Sequence, residues 1–247
     1  MSKQQRIFGI HPVREAIEAG KDIDKLYIQQ GLENPTVAEI LKNIEGTATQ
    51  IQEVPIEKLD RLTKGNHQGI VAEISPIKIR EFSEVVEEVL ATKTNPLFLV
   101  LDQISDVRNF GAIIRVAECT GVDAIIVQKK GGAPISDHTV RTSAGAIFNV
   151  PICKVDHIKD AVFYFKASGI YTIAASEKGN SSIYETDTNK PMALIMGSEG
   201  RGISRSVLKE TDATASLPLL GEINSLNVSV ACGAILYEIV RQRSFAS

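Results

Sequence analysis

A chain of 247 residues, 43% hydrophobic and 23% charged, is long enough to bury one large core or two smaller ones and is ordinary for a globular protein. A net charge of −3 announces no global attraction to nucleic acid, and 5% aromatics without Trp argue against a broadly stacking or lectin-like surface. The first residues are polar, and no run approaches the ~20 apolar residues of a membrane span, so a cytoplasmic protein without membrane contact is expected.

In chain order, Gly9-Ile10-His11-Pro12 leads into a helix over Val13 to Ala19, where Val13, Ala16 and Ile17 recur at helical spacing. Pro12 suits a first helical turn, where its missing donor is not needed. Lys25 to Ile28 reads as a strand, and Pro35 opens a helix over Thr36 to Ile44. Gln50 to Val54 reads as a strand, Ile56 to Leu62 as a helix and Ile70 to Ile74 as a closing strand. Residues 1–76 thus form a small α/β domain. Its polar loop Lys64-Gly65-Asn66-His67-Gln68-Gly69 is either a plain connector or a place where His67 and Gln68 meet nucleic acid, with Lys64 near a phosphate.

Residues 77–95 read as a linker merging into a first helix carried by Phe82, Val85, Val86 and Val89. From Pro96 onward strand and helix alternate. Strands are expected at Leu97–Leu101, Ala124–Val127, Pro151–Lys154, Ile170–Ala174, Met192–Met196 and Ala213–Leu217. Helices are expected from about Asn109 to Thr120, over His138–Ala144, Ile158–Ser168 and Ser204–Lys209, and at the C-terminus. The fold class is α/β, with residues 96–247 building a mostly parallel sheet covered on both faces and ligands at the carboxyl ends of its strands. Cys119, Cys153 and Cys232 lie in apolar segments without metal-ligand spacing, so buried thiols and no metal are expected.

Three runs carry chemistry. In Asp106-Val107-Arg108-Asn109-Phe110-Gly111-Ala112-Ile113-Ile114-Arg115, Asn109 reads as a helix N-cap and Gly111 as a point of close approach. Arg115, beside apolar residues, needs either a carboxylate partner or a phosphate. Gly197-Ser198-Glu199-Gly200-Arg201-Gly202 follows a strand but has neither P-loop nor dinucleotide spacing, and Glu199 would repel a pyrophosphate. These glycines suit a neutral or cationic ligand instead. After the apolar ledge Leu217-Pro218-Leu219, the run Ser225-Leu226-Asn227 opens the last helix, with Ser225 as the expected cap and Asn227 in the first turn.

Taken together, these three ordered runs resemble the three motifs of the SPOUT superfamily, in its SpoU/TrmH branch of RNA 2′-O-ribose methyltransferases. Gly9 to Ile17 and His67-Gln68-Gly69 resemble that family's N-terminal substrate-binding domain, so the resemblance covers nearly the whole chain. One departure is visible: Asp106 is followed by Val107, where the family usually has Pro.

The resemblance implies a C-terminal trefoil knot, a homodimer with the knot region at its interface, and S-adenosylmethionine as cofactor. By position, Gly197, Leu217 and Leu226 would line the cofactor site, and Asn109, Arg115, Glu199, Ser225 and Asn227 would form the catalytic site. The nearest branch modifies a guanosine ribose in large-subunit ribosomal RNA. The other readings are a transfer-RNA 2′-O-methyltransferase and a non-catalytic RNA-binding ribosome-assembly factor. Lys129, Lys130, Arg141, Lys178, Arg201 and Arg205, in or near loops after strands, could supply the local positive charge that the whole chain lacks.

Overall fold

The computed structural model describes residues 6–222 and 225–245. The chain divides into two compact units, essentially residues 6–78 and 79–245, each with its own sheet and core. Among the described residues no helix is long and apolar enough to cross a membrane.

The first unit runs β1 (Arg6–Phe8), α1 (Ile10–Glu18), β2 (Ile23–Gln29), α2 (Pro35–Asn43), β3 (Gln50–Val54), α3 (Ile56–Leu62) and β4 (Ile70–Ile74). Its four-stranded sheet has the order β1-β4-β2-β3, with β2 and β3 parallel and the other pairs antiparallel. Val13, Leu26, Val37, Ile40, Ile70 and Ala72 bury one face under α1 and α2, while Leu59 of α3 covers the other with Tyr27, Val54 and Val71. Asn34 caps α2 by accepting from the Thr36 and Val37 amides, with Pro35 at the first helical position.

His67 and Gln68 both make hydrogen bonds inside this unit. His67 Nδ1 accepts from the Gly69 amide at 3.0 Å, which leaves the Nε2 proton facing Asp60 at 3.1 Å. Gln68 takes a positive φ of 49° and its side-chain oxygen accepts from the Ile10 amide at the start of α1, at 3.0 Å. These bonds give the loop a structural role, while Gln68 stays exposed and only its side-chain oxygen is engaged.

The second unit continues α4 (Phe82–Thr92), β5 (Leu97–Asp102), α5 (Val107–Cys119), β6 (Ala124–Gln128), α6 (Asp137–Thr142), β7 (Ile152–Val155), α7 (Ile158–Ala167), β8 (Tyr171–Ala175), β9 (Ser181–Ser182), β10 (Met192–Gly197), α8 (Arg205–Leu208), β11 (Ala213–Ser216) and α9 (Val228–Phe245). All seven strands pair in parallel, in the order β7-β6-β5-β10-β8-β11-β9. Phe98 and Val100 of β5, Ala193 and Ile195 of β10 and Ile126 of β6 face a core closed by Phe82, Val85, Ile158, Val162 and Phe165 of α4 and α7. α5 and α9 pack on each other, and α9 also lies against β10.

Gly111 shows why α5 can sit where it does. A Cβ there would come within 2.0 Å of Thr142 Oγ1 and 2.8 Å of a Thr142 backbone atom, so the helix needs a glycine at that crossing. At its other end the unit is pinned by Arg243, whose guanidinium donates to the carbonyls of Thr188, Asn95 and Lys190.

Two of the three thiols are buried as expected. Cys153 and Cys232 have pKa values pushed up to about 12 by burial. Cys119 departs from that expectation, because it sits at the exposed end of α5.

Candidate active site

Strand order fixes where a ligand can sit. The chain leaves β5 and builds β6 and β7 to one side, then crosses back to place β8, β10 and β11 on the other. The loops after β5 and β10, which are neighbours in the sheet, therefore diverge and leave a crevice at their carboxyl ends. A cavity of about 1000 Å³ occupies it, lined by Asp102 to Asp106, Asn109, Gln128, Lys130, His157, Ser198 to Arg201 and Ser204, among others. This size lies at the upper end of the roughly 300–1,000 Å³ typical of ligand pockets.

The capping of α5 differs from the sequence-based expectation, and the difference matters. Asp106 is the N-cap, accepting from the Arg108 and Asn109 amides at 2.9 Å each. Asn109 is the third helical residue, and its side chain is released from local duty. Its Nδ2 donates to Glu199 Oε1 at 3.1 Å, across 90 residues of sequence.

The start of α9 is corrected in the same way. Asn227, not Ser225, caps the helix: its Oδ1 accepts from the Ser229 and Val230 amides at 3.0 and 3.4 Å, and its carbonyl accepts from the Ala231 amide. The Asn227 Nδ2 donates to Asn109 Oδ1 at 3.0 Å and also to Glu199 Oε1. Val228 adds its amide to the same carboxylate oxygen at 3.3 Å. Asn109, Glu199 and Asn227 thus form a closed cluster from three distant segments. Ser225 lies exposed just before it.

The glycine turn is fastened from two sides. Ser198 and Gly202 exchange backbone hydrogen bonds, and the buried Asp102 carboxylate accepts from the Ser204 amide at 2.6 Å. A Cβ on Gly197 would lie 2.2 Å from a Gly202 backbone carbon and 2.3 Å from the Ile203 nitrogen. Gly197 therefore serves the close approach of the chain to itself. That is a different reason from close approach of a ligand, although it leaves the turn next to the cluster.

Of the other expected residues, Leu217 is half-buried and Leu226 is 43% exposed, and neither lines the cavity. Arg115 does not line it either. It stands six residues beyond Asn109 on α5, roughly 9 Å further along the axis and about 120° around it. Its guanidinium is exposed and has no ion pair among the described residues, so the structural ion pair considered from its apolar surroundings is absent. Within the basic set, Lys129 is held by Asp156 at 3.1 Å, whereas Lys130 and Arg201 line the cavity without an ion pair among the described residues. Arg141, Lys178 and Arg205 are exposed outside it.

Sequence reasoning missed Asp102, Gln103, Gln128 and His157. The available signal was positional: each ends a strand or follows one within two residues, where an open parallel sheet presents its ligand-facing side chains.

Comparison with known proteins agrees with this layout. Residues 96–237 match the SpoU rRNA Methylase family, and residues 6–79 match the RNA 2′-O ribose methyltransferase substrate binding domain. A protein of Staphylococcus aureus (strain MSSA476) assigned to the TrmH family of tRNA/rRNA methyltransferases is 35% identical over 238 residues, covering 96% of each chain. Among solved structures, the SpoU methyltransferase AviRb of Streptomyces viridochromogenes, in complex with AdoMet, matches with a TM-score of 0.61 and 26% identity. That match covers 96% of this chain and 90% of the other. An AdoMet-bound rRNA methyltransferase from Sinorhizobium meliloti matches with a TM-score of 0.61 at 25% identity, over 98% and 88% of the two chains. Fold, site and matches together define an RNA methyltransferase with an α/β substrate-binding unit ahead of a parallel-sheet SPOUT unit. The chain belongs to the SpoU rRNA Methylase family.

Proposed function

We propose that the protein methylates a ribose 2′-hydroxyl of RNA with S-adenosylmethionine as donor, and that its target is a guanosine of large-subunit ribosomal RNA. The observation that carries this reading is the Asn109–Glu199–Asn227 cluster, which borders the cavity through Asn109 and Glu199 and joins Leu226 through Asn227. The cavity receives the RNA and the leucine side receives the cofactor. RNA-methyltransferase relatives solved with AdoMet support the choice of donor.

The residues present fit that cofactor. Leu217 and Leu226 offer apolar faces for an adenine, and the Glu199 carboxylate suits a cationic ligand where it would repel an anionic one. S-adenosylmethionine, when bound, supplies a methyl group already activated on a sulfonium. What remains for the chain is alignment and removal of one proton. Asn109 and Asn227 orient the Glu199 carboxylate. Ser225, exposed beside them, hydrogen-bonds the ribose hydroxyl and passes its proton to solvent. Arg115 stays protonated and binds a phosphate of the substrate, which orients the hydroxyl.

The proposal includes a cytoplasmic homodimer with a trefoil knot around residues 197–227. The knot rests on the family resemblance, and exposed Val230, Tyr237 and Phe245 on α9 support a partner surface. Ribose methylation mapped on ribosomal and transfer RNA from cells lacking the protein tests the whole reading. One guanosine 2′-O-methyl mark should vanish from large-subunit RNA and return when purified protein and S-adenosylmethionine are added. Loss confined to transfer RNA would overturn the ribosomal assignment. Failure to bind S-adenosylmethionine at millimolar concentration would favour an assembly factor instead.

A further inference from the structure

Among the described residues, three non-glycine residues carry a positive φ: Gln68 at 49°, Gln103 at 61° and Ala144 at 51°. Two of them have local reasons. Gln68 hydrogen-bonds the first amide of α1, and Ala144 lies in the turn that ends α6, with its amide and that of Gly145 returning to Arg141 and Val140 carbonyls. Gln103 has no such return. It follows the last residue of β5, its side chain makes no hydrogen bond among the described residues, and it lines the cavity. A glycine would hold this backbone without strain, yet a glutamine with a free amide is there.

Its surroundings give the amide something to read. By sheet register Gln128 of β6 lies beside Val155 of β7, and the next pair after Leu101–Val127 sets it beside Asp102, so Gln128 and Gln103 rise from adjacent strand ends into one cavity. His157, just past β7, lines the same space. Three of the carboxylates lining the cavity are occupied, Asp102 by Ser204, Asp106 by α5 and Glu199 by the two asparagines, while Asp160 in the first turn of α7 lines it as well. Lys130 and Arg201 remain unpaired among the described residues and line the same cavity. A guest with a flat polar edge for the amides and anionic groups for the two cations matches this lining, and an extruded nucleotide has both.

We propose that Gln103 is a specificity-determining residue, reading the base edge of the target nucleotide while Lys130 and Arg201 hold neighbouring phosphates. This rests on the RNA methyltransferase reading and adds the selection of the base to it. A side-chain amide pairs a donor with an acceptor, which discriminates bases by hydrogen bonding rather than by size.

The test uses Gln103→Gly, which fits the observed backbone and removes the whole side chain with its amide, and Gln103→Asn, which keeps a shorter amide and tolerates the same backbone. Wild type and variants are assayed on four transcripts that carry A, C, G or U at the mapped methylation position. Gln103→Gly should retain thermal stability and S-adenosylmethionine binding by calorimetry. Its preference for the cognate base should narrow by roughly 5- to 100-fold, with Gln103→Asn intermediate. Unchanged discrimination in Gln103→Gly, or lost cofactor binding, would overturn the assignment. A wild-type protein that binds no S-adenosylmethionine and methylates none of the transcripts would instead overturn the parent reading, and it would show before any variant is compared.

Discussion

Asn227 does two things with one amide. Its oxygen caps α9, and its nitrogen joins Asn109 and Glu199. A helix cap is worth about 0.5–2 kcal/mol against alanine, so structural and functional losses in Asn227→Ala should separate by size. Stability should fall by about 1 kcal/mol, seen as a melting shift of about 2–4 °C in scanning calorimetry. Methyl transfer should fall far more, by at least roughly a hundredfold, or ~2.7 kcal/mol of barrier. Activity loss no larger than the stability change explains would mean that Asn227 is only a cap. The same logic applies to Asn109, whose release from capping by Asp106 is what lets its side chain reach Glu199.

At the scale of one element, α5 shows how a family departure is absorbed. Val107 occupies the first helical position, where the backbone N–H has no intrahelical acceptor, and Asp106 before it is extended with φ −76° and ψ 124°. Both features suit proline, which favours that position and requires an extended residue ahead of it. Val107→Pro should therefore stabilise the protein by about 0.4–1 kcal/mol through the unfolded chain, with a melting point about 1–4 °C higher. Methylation should persist. A lower melting point would show that the loop before α5 needs the freedom that Val107 allows.

For the whole molecule, the open question raised by the geometry is Arg115. The guanidinium does not reach the cavity of its own chain, while Asn109, Glu199 and Asn227 are already assembled there. A homodimer resolves this if Arg115 of one copy serves the site of the other. Mixed dimers of Arg115→Ala and Asn109→Ala chains, co-expressed with different tags and purified for both, should then regain methylation that each variant lacks alone. No recovery in mixed dimers would place Arg115 with its own chain's site, or outside catalysis altogether.

Periodicity by itself located most elements. Gln50–Val54, Ile56–Leu62 and Ile70–Ile74 stand where apolar spacing placed them, because strand and helix repeats are local properties of the chain. The three-residue β1 and two-residue β9 escaped, since segments so short have no period and exist only through pairing with β4 and β11. Resemblance between motifs named Asn109, Glu199 and Asn227 as site residues, but local rules misread which of their neighbours cap the helices. Asn109 and Ser225 are the caps that local preference suggests, Asp106 and Asn227 are the caps the structure uses, and only the tertiary position of Glu199 draws Asn109 and Asn227 into one cluster. The sequence alone determined an alternating α/β chain with a glycine turn near its end. The tertiary structure decided that β5 and β10 are neighbours, because sheet order is set by burial of whole faces rather than by any local pattern. That adjacency is what brings Asn109, Glu199 and the strained Gln103 to the same cavity.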